Sequence, residues 1–203
     1  TKVGMSEMLH HSKAVTRAVR HALVVGDMPY DSYQVNIEES VKNARRLMEE
    51  ASCDAVKLEL FDKCLEVTRR ITEAGLPVMG HIGLTPQTAD KIGGFKVQGK
   101  DAEAAKRLIG QALELEKLGC FSVVLECVPD KIAQLVTEKL KIPTIGIGAG
   151  IHCDGQVLVI HDMLGLFERY TPKFVKRYAD ISAEIKKAVE AYKDDVITGK
   201  FPG

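Results

Sequence analysis

Residues 55–80 read AVKLELFDKCLEVTRRITEAGLPVMG. A short apolar run, Ala55 to Leu58, is followed by a stretch with apolar residues every three or four positions, Asp62 to Ala74. A second short apolar run, Pro77 to Gly80, comes next. Short apolar runs are typical of buried strands, and the wider spacing is typical of helices. The stretch therefore predicts a strand, a helix and a second strand parallel to the first.

The same alternation continues in both directions and predicts an α/β fold with a parallel sheet. The predicted strands are Ala22 to Gly26, Ala55 to Leu58, Pro77 to Gly80, Ser122 to Leu125, Pro143 to Ile147 and Gln156 to Ile160. The predicted helices are Met5 to Ala22, Glu38 to Glu50, Asp62 to Ala74, Ala102 to Leu118, Lys131 to Leu140, Lys173 to Tyr178 and Ser182 to Val196. No linker or shift in composition divides the chain, so we expect residues 1–203 to form a single domain whose C-terminal helices begin at about residue 173.

The charges of the chain are balanced, with 28 Lys plus Arg against 28 Asp plus Glu. This balance provides no long-range field toward nucleic acid or an anionic membrane, so we expect neither as a partner. No apolar run is long enough to cross a bilayer, and the first twenty residues do not resemble a signal peptide. The five cysteines are scattered and form no CxxC pair, which is typical of a reduced, cytoplasmic protein.

Five of the six apolar runs end in, or lie just before, an ionisable side chain. These side chains are Asp27, Glu59, His81, Glu126 and the pair His161-Asp162. In a parallel barrel every strand brings its carboxyl end to the same rim, where catalytic residues collect. We therefore expect these groups to converge although they are far apart in the sequence.

Lys57 and Glu59 are two residues apart in the second strand, so their side chains point to the same side of the sheet. A lysine and a carboxylate on a buried strand are costly without partners, which indicates a polar pocket. Asp27 and Glu59 come from neighbouring strands with no cysteine cluster nearby. Such a pair suits a hard divalent cation such as Mg²⁺, which typically takes one or two protein carboxylates.

Each of these residues also has a purely structural explanation. Asp27 could be a turn former or a helix cap, and Asp162 fits a turn over residues 162–165. His81 could be a hydrogen-bonded core histidine, and Lys57 with Glu59 could be a structural ion pair. Glu126 has no obvious capping role, so a function is favoured for it.

Other patterns are weaker indications of function. Residues 146–150, GIGAG, lack the full GxGxxG spacing of a dinucleotide loop and fit a close backbone approach at a barrel rim. His152-Cys153-Asp154 resembles a set of metal ligands, but Asp154-Gly155 predicts a turn. His10-His11 fits a solvated helix face, and residues 92–100, IGGFKVQGK, suit either a lid or a plain loop.

Five stretches of the chain, in order, resemble the ketopantoate hydroxymethyltransferase family. They are residues 80–87 (GHIGLTPQ), 93–99 (GGFKVQG), 125–129 (LECVP), 145–150 (IGIGAG) and 154–159 (DGQVLV). The resemblance covers essentially all 203 residues. It implies a (βα)8 TIM barrel of the phosphoenolpyruvate/pyruvate type. It also implies a homo-oligomer, commonly a decamer, that acts in pantothenate and hence coenzyme A synthesis.

The resemblance further implies a reaction and a set of site residues. The family transfers a hydroxymethyl group from 5,10-methylenetetrahydrofolate to 3-methyl-2-oxobutanoate, a keto acid, and forms 2-dehydropantoate. Asp27 and Glu59 match the family's Mg²⁺-contacting acids, and Asp27 also contacts substrate. Lys57 matches the substrate-binding lysine, and Glu126 matches the proton acceptor. His81 matches a pocket histidine that hydrogen-bonds near the substrate, which places it with Asp27 and Lys57 among the expected substrate-binding residues.

The resemblance departs from the family at the N-terminus. Members carry two further βα units before the position of Thr1, and the second supplies an Asp-Ser pair that contacts metal and substrate. Six strands do not close an eight-stranded barrel, so we expect the first two units to be missing from the printed sequence.

Two other functions are compatible with the sequence. One is another Mg²⁺-dependent keto-acid enzyme of the same barrel group, such as an isocitrate lyase-like lyase or a phosphonomutase, although the loop motif of those enzymes is not seen. The other is a non-catalytic barrel subunit, which would show no magnesium effect.

Overall fold

The computed structural model describes residues 3–34, 36–61, 64–92, 94, 96–99 and 101–203. Contacts within the chain divide it into two compact units, residues 1–156 and residues 157–203, and each is described by itself. The expectation of a single domain stays a prediction.

The first unit contains a six-stranded parallel sheet in which the strands follow one another in sequence order. The strands are β1 (Val25–Asp27), β2 (Ala55–Glu59), β3 (Val78–Gly83), β4 (Ser122–Glu126), β5 (Thr144–Ile147) and β6 (Gly155–Gln156). The helices are α1 (Met5–Ala18), α2 (Ile37–Glu49), α3 (Cys64–Glu73), α4 (Ala102–Lys117) and α5 (Asp130–Lys139). Two short 3-10 helices, Tyr30–Ser32 and Pro86–Ile92, follow β1 and β3. The predicted parallel α/β fold is therefore confirmed.

The core lies between the sheet and its helices. Apolar strand residues such as Val56, Val78 and Val123 are fully buried, and they belong to one cluster with Leu47 of α2 and Leu115 of α4. Strands covered in this way read as continuous apolar runs, which is why the sequence pattern reveals them. Polar side chains fix where two of the helices begin. The side chain of Asn36 accepts a hydrogen bond from the backbone of Glu39, and that of Asp101 accepts one from the backbone of Ala104.

The strand register brings the ionisable residues to one edge of the sheet. Asp27 lies opposite Lys57, and Glu59 lies opposite His81. Gly83 lies opposite Glu126 one strand further along. Because all strands are parallel, their carboxyl ends share this edge. Within the described residues, β1 and β6 each pair with one strand only, so both leave an open side.

The ends of two strands, β3 and β6, differ from the prediction. β3 extends to Gly83, so His81 lies inside the strand and not after its end. The predicted sixth strand is wrong beyond Gln156. β6 has two residues, and Val157 to Val159 leave the sheet with Val157 and Val159 about half exposed. A strand with a neighbour on one side gains fewer ladder hydrogen bonds and less burial, which explains why the apolar run does not continue it.

The second unit, residues 157–203, contains α6 (Ile160–Met163) and α7 (Ile181–Ile197). His161 and Asp162 lie on α6, so the prediction that they follow a strand end is wrong. The predicted turn over residues 162–165 is half right, because α6 takes its first two positions. The predicted helix Lys173 to Tyr178 is also wrong, since these residues form no helix. A helix of six residues cannot offset the cost of its first turn without a buried face, and Phe174 and Tyr178 are exposed.

No helix among the described residues combines the length and the apolar character needed to cross a bilayer.

Candidate active site at the carboxyl edge of the sheet

Asp27, Lys57, His81 and Glu126 form a continuous chain of polar contacts across four neighbouring strands. The Lys57 ammonium lies 2.8 Å from Oδ1 of Asp27 and 3.1 Å from Nδ1 of His81. The other ring nitrogen of His81, Nε2, lies 3.2 Å from Oε2 of Glu126. The convergence expected from the sequence is therefore present for these four side chains. The ion partner of Lys57 is Asp27, and not Glu59 as the structural explanation supposed.

Along this chain of contacts, side-chain burial increases from Asp27 to His81 and decreases again at Glu126. The Asp27 side chain is 43% exposed and Lys57 is 16% exposed. His81 is only 4% exposed, and Glu126 is 14% exposed. The site thus has a carboxylate that opens to solvent at one end, a partly accessible carboxylate at the other, and a buried imidazole between them. A small polar ligand can reach Asp27, Lys57 and Glu126, whereas His81 faces protein.

Glu59 lies on the same strand as Lys57 and is the most buried carboxylate of the site, with 3% of its surface exposed. Its Oε2 accepts a hydrogen bond of 3.0 Å from the backbone N–H of Gln87, at the start of the second 3-10 helix. Burial raises the pKa of Glu59 above its ordinary value, the Lys57 ammonium acts in the opposite direction, and the charge of Asp27 adds to the rise. A cation near both carboxylates would relieve this unfavourable burial.

Two residues that contact this site escaped the sequence prediction. Gln87 donates from Nε2 to the backbone carbonyl of Met28 at 3.1 Å, so it ties the end of β1 to the loop after β3. Tyr33 is 1% exposed, and its ring lies 5.4 Å from that of Phe61. Burial is the main reason why the pKa of the Tyr33 hydroxyl is raised. The negative charges of the nearby Cys64, Glu59 and Asp27 add to the rise. Gln87 is the last residue of the GHIGLTPQ stretch, so the resemblance of that stretch to the family could have indicated it as a site residue. No pattern in the local sequence indicates Tyr33.

The carboxylates of this edge set what kind of metal ion it can hold. Within the described residues, no group of three or more His, Cys, Asp or Glu side chains could hold one. Asp27 and Glu59 are two carboxylates that interact electrostatically at one sheet edge. Two carboxylates fit Mg²⁺ in type and number, because water and substrate oxygens typically fill its other positions, and they do not fit a structural zinc site, which needs four protein ligands.

The remaining candidates do not join this cluster. Asp154 accepts hydrogen bonds from the backbone N–H and hydroxyl of Thr144, so it anchors β5. His152 lies 3.5 Å from the carboxylate of Asp130. His152 and Asp154 therefore contact different partners, which agrees with the low weight given to residues 152–154 as metal ligands. His10 and His11 stack edge to face on α1 with exposed side chains. The lid or loop expected over residues 92–100 includes Gly93, Phe95 and Lys100, which lie outside the described residues.

Comparison with known proteins gives a consistent result. A sequence model described as ketopantoate hydroxymethyltransferase matches residues 1–203. A 3-methyl-2-oxobutanoate hydroxymethyltransferase from Syntrophobacter fumaroxidans is 55% identical over 201 residues, which cover 99% of this chain and 71% of that protein. Proteins of the same name from Syntrophus aciditrophicus and Enterococcus faecalis are each 54% identical. The match to the Syntrophus protein covers 98% of this chain and 74% of that protein. The match to the Enterococcus protein covers 99% of this chain and 73% of that protein.

Two solved structures resemble the fold over nearly the whole chain. Phosphonopyruvate hydrolase matches 98% of this chain and 68% of its own, with a TM-score of 0.55 and 13% identity. A lyase/mutase from Burkholderia cenocepacia J2315 matches 100% of this chain and 70% of its own, with a TM-score of 0.54 and 13% identity. At this identity the likeness supports a shared parallel α/β fold with a curled sheet.

Proposed function

The chain belongs to the ketopantoate hydroxymethyltransferase family, and from this premise we propose the reaction that its site performs. It transfers a hydroxymethyl group from 5,10-methylenetetrahydrofolate to 3-methyl-2-oxobutanoate and forms 2-dehydropantoate, in the synthesis of pantothenate. The observation that carries this proposal is the contact chain from Asp27 through Lys57 and His81 to Glu126. It provides a cation for the carboxylate of a keto acid and, on the next strands, a carboxylate for its proton.

Lys57 binds the keto acid in this proposal. Its ammonium is largely buried but reachable, and it has one carboxylate partner, Asp27, which leaves donor capacity for a ligand. A hydrogen bond between charged groups in such a partly buried place is stronger than one in water. The keto-acid carboxylate therefore has a fixed point of attachment on β2, two residues before the strand ends.

Glu126 accepts the proton from C3 of the keto acid. It lies at the end of β4, its carboxylate is 14% exposed, and the nearby His81 holds its Oε2. A general base needs access to the substrate and a fixed direction, and Glu126 has both. Loss of the C3 proton leaves an enolate, whose C3 forms the new bond to the one-carbon carbon. Water supplies the hydroxyl oxygen of the transferred group, and the bonds from that carbon to the two folate nitrogens break, so that tetrahydrofolate leaves with the protons.

Asp27 and Glu59 would hold Mg²⁺, and Asp27 would also contact the substrate. When bound, this ion supplies a positive charge that polarises the keto group and makes the C3 proton more acidic. The chain's own contribution is the placement of the two acids. The Gln87 backbone fixes Glu59, and the Lys57 ammonium fixes Asp27. Because Glu59 is nearly inaccessible, we assign the larger share of ligand contact to Asp27.

For the fold, we propose the (βα)8 barrel of the phosphoenolpyruvate/pyruvate type. The open sides of β1 and β6 support it, since two further parallel strands between them would complete a closed sheet. Relatives are longer than this chain, which spans 71% to 74% of three of them.

We also propose a cytoplasmic homo-oligomer, with a decamer as the expected form. The five cysteines are free, as expected for a reducing compartment. Sedimentation velocity of the purified protein should give a mass several times that of one chain. A single species at the mass of one chain would contradict the proposed assembly.

The function is tested by incubating the protein with 3-methyl-2-oxobutanoate and 5,10-methylenetetrahydrofolate, with Mg²⁺ or with a chelator. We expect mass spectrometry to show 2-dehydropantoate that depends on the metal. Turnover of the keto acid to other products would favour another enzyme of the same barrel group. No turnover and no effect of Mg²⁺ on ligand binding would favour a non-catalytic subunit.

A further inference from the structure

Both ring nitrogens of His81, in the middle of the contact chain, contact protein groups. Nδ1 faces the Lys57 ammonium at 3.1 Å. Nε2 faces the backbone carbonyl of Leu84 at 2.8 Å and the Glu126 carboxylate at 3.2 Å. With 4% of its side chain exposed, His81 has no nitrogen left for a substrate atom.

These partners select one tautomer of His81. A backbone carbonyl and a carboxylate are both acceptors, so Nε2 must carry the hydrogen and share it between them. The Lys57 ammonium has only donors, so Nδ1 must be the bare nitrogen that accepts. A hydrogen on Nδ1 would point at the Lys57 ammonium. The network therefore fits the neutral ring with its hydrogen on Nε2.

The carbonyl of Leu84 makes this arrangement rigid. The backbone N–H of Leu84 donates to the carbonyl of Glu126 at 2.8 Å, which ties the end of β3 to the end of β4. The Leu84 carbonyl is thus fixed relative to Glu126 itself, and it holds the imidazole at Nε2. The ring in turn holds the carboxylate on one side and the ammonium on the other.

We propose that His81 is a positioning residue that fixes Lys57 and Glu126 through its two ring nitrogens. It acts on the keto acid only through these neighbours. The Nδ1 side affects how tightly the keto acid binds, and the Nε2 side affects how fast its proton is removed. This inference rests on the proposed function, because it takes Lys57 as the substrate ligand and Glu126 as the base.

Two substitutions separate the two sides of the ring. In His81→Gln the amide nitrogen reaches about as far as Nε2 and can still donate toward Glu126, but nothing accepts from Lys57. In His81→Asn the amide oxygen reaches about as far as Nδ1 and can accept from Lys57, but nothing reaches Glu126. His81→Ala removes both contacts, and His10→Asn, on the exposed face of α1, is the matched control.

Steady-state kinetics and calorimetric binding of 3-methyl-2-oxobutanoate test the inference. For His81→Gln we expect the KM and Kd of the keto acid to rise about tenfold, the usual size of one hydrogen bond involving a charged group, with kcat little changed. For His81→Asn we expect kcat to fall at least about tenfold with Kd little changed. His81→Ala should show both effects, and His10→Asn neither.

The outcomes distinguish this inference from the function on which it rests. Active wild-type protein whose Gln and Asn variants change kcat and Kd in the same proportion would overturn the positioning role alone. The same holds if His81→Ala has wild-type kinetics. Wild-type protein that neither binds nor converts the keto acid would overturn the proposed function, and the inference with it. Circular dichroism and thermal melting confirm that each variant is folded before its kinetics are compared.

Discussion

At the scale of single residues, Glu126 has the most specific predicted role. In Glu126→Gln the side chain keeps its size and can still accept from His81, but it no longer takes up a proton. General bases typically contribute about 10²- to 10⁴-fold, so turnover should fall at least about 100-fold while the Kd of the keto acid changes little. Stopped assays and calorimetry measure the two quantities.

The matched control for this variant is Glu190→Gln on the exposed surface of α7, which should leave turnover unchanged. Wild-type turnover in Glu126→Gln would dismiss the role as proton acceptor. A parallel loss of binding would instead assign Glu126 to substrate recognition.

Lys57 is predicted to act on binding. Lys57→Ala removes the ammonium that faces Asp27 and His81 and leaves the keto-acid carboxylate without a counter-charge. Because hydrogen bonds to charged groups contribute about 1.5–3 kcal/mol, the Kd of the keto acid should rise about 10- to 100-fold in calorimetry. Lys117→Ala, whose side chain is 77% exposed, is the control. An unaltered affinity in Lys57→Ala would show that the substrate binds elsewhere.

The sequence was sufficient to single out these residues, because Glu126 follows an apolar run and Lys57 is a charged residue inside one. The sequence could not show which of these side chains contact each other. The pairing of Lys57 with Asp27, and not with Glu59, depends on the strand register. The contact of Gln87 with Glu59 depends on how the loop after β3 folds back over β2. Such contacts join segments that the chain sequence leaves far apart, and no local pattern encodes them.

At the scale of elements, Gly83 controls how β3 ends beside Glu126. Its φ is +91°, a conformation that glycine adopts far more readily than other residues. A Cβ at this position would collide with the backbone carbonyl oxygen of Glu126. We expect Gly83→Ala to lower the free energy of unfolding by about 1–3 kcal/mol or more in urea titrations and to reduce turnover by displacing Glu126.

A glycine in a different environment provides the control. Gly110 lies inside α4, and a Cβ there would meet nothing within 4 Å. Gly110→Ala should therefore raise the free energy of unfolding by about 0.5–1 kcal/mol, because alanine favours the helix. Equal stability changes in the two variants would contradict the account of Gly83.

Long helices with an apolar stripe were predictable, including α7, none of whose residues is buried, whereas two short stretches with exposed apolar residues were not. The helices α2 to α5 begin and end within about two residues of the prediction, since their apolar stripes pack on the sheet. Asp62 and Lys63, at the start of the predicted third helix, lie outside the described residues. The errors fall where burial is weak. The run after Gln156 and the expected helix over Lys173 to Tyr178 expose much of their apolar surface, so pattern alone did not decide their structure.

At the scale of the whole molecule, the buried cysteines report on how well the interior is closed. Burial raises the pKa of the Cys64 thiol to about 11 and that of Cys120 to about 12. At mildly alkaline pH both thiols stay protonated in the folded protein and are also shielded. Since the thiolate is the reactive form, we expect iodoacetamide to label them far more slowly than Cys127 or Cys153, which are partly exposed.

Peptide mass spectrometry after timed labelling measures this difference, and urea should abolish it. Equal rates at all sites in the native protein would show that the interior opens readily.

The parallel α/β class was predictable from the whole sequence because every βα unit repeats one pattern. Closure into a barrel was not, since it depends on which strands meet at the open sides of β1 and β6.

Proton abstraction from the keto acid is the step on which the whole account depends, and it can be observed without folate. In D₂O with Mg²⁺, wild-type protein should exchange the C3 proton of 3-methyl-2-oxobutanoate for deuterium, and proton NMR would show the loss of that signal. The account predicts exchange at least about 100-fold slower in Glu126→Gln and strongly reduced exchange with a chelator. Exchange at the wild-type rate in Glu126→Gln would contradict it.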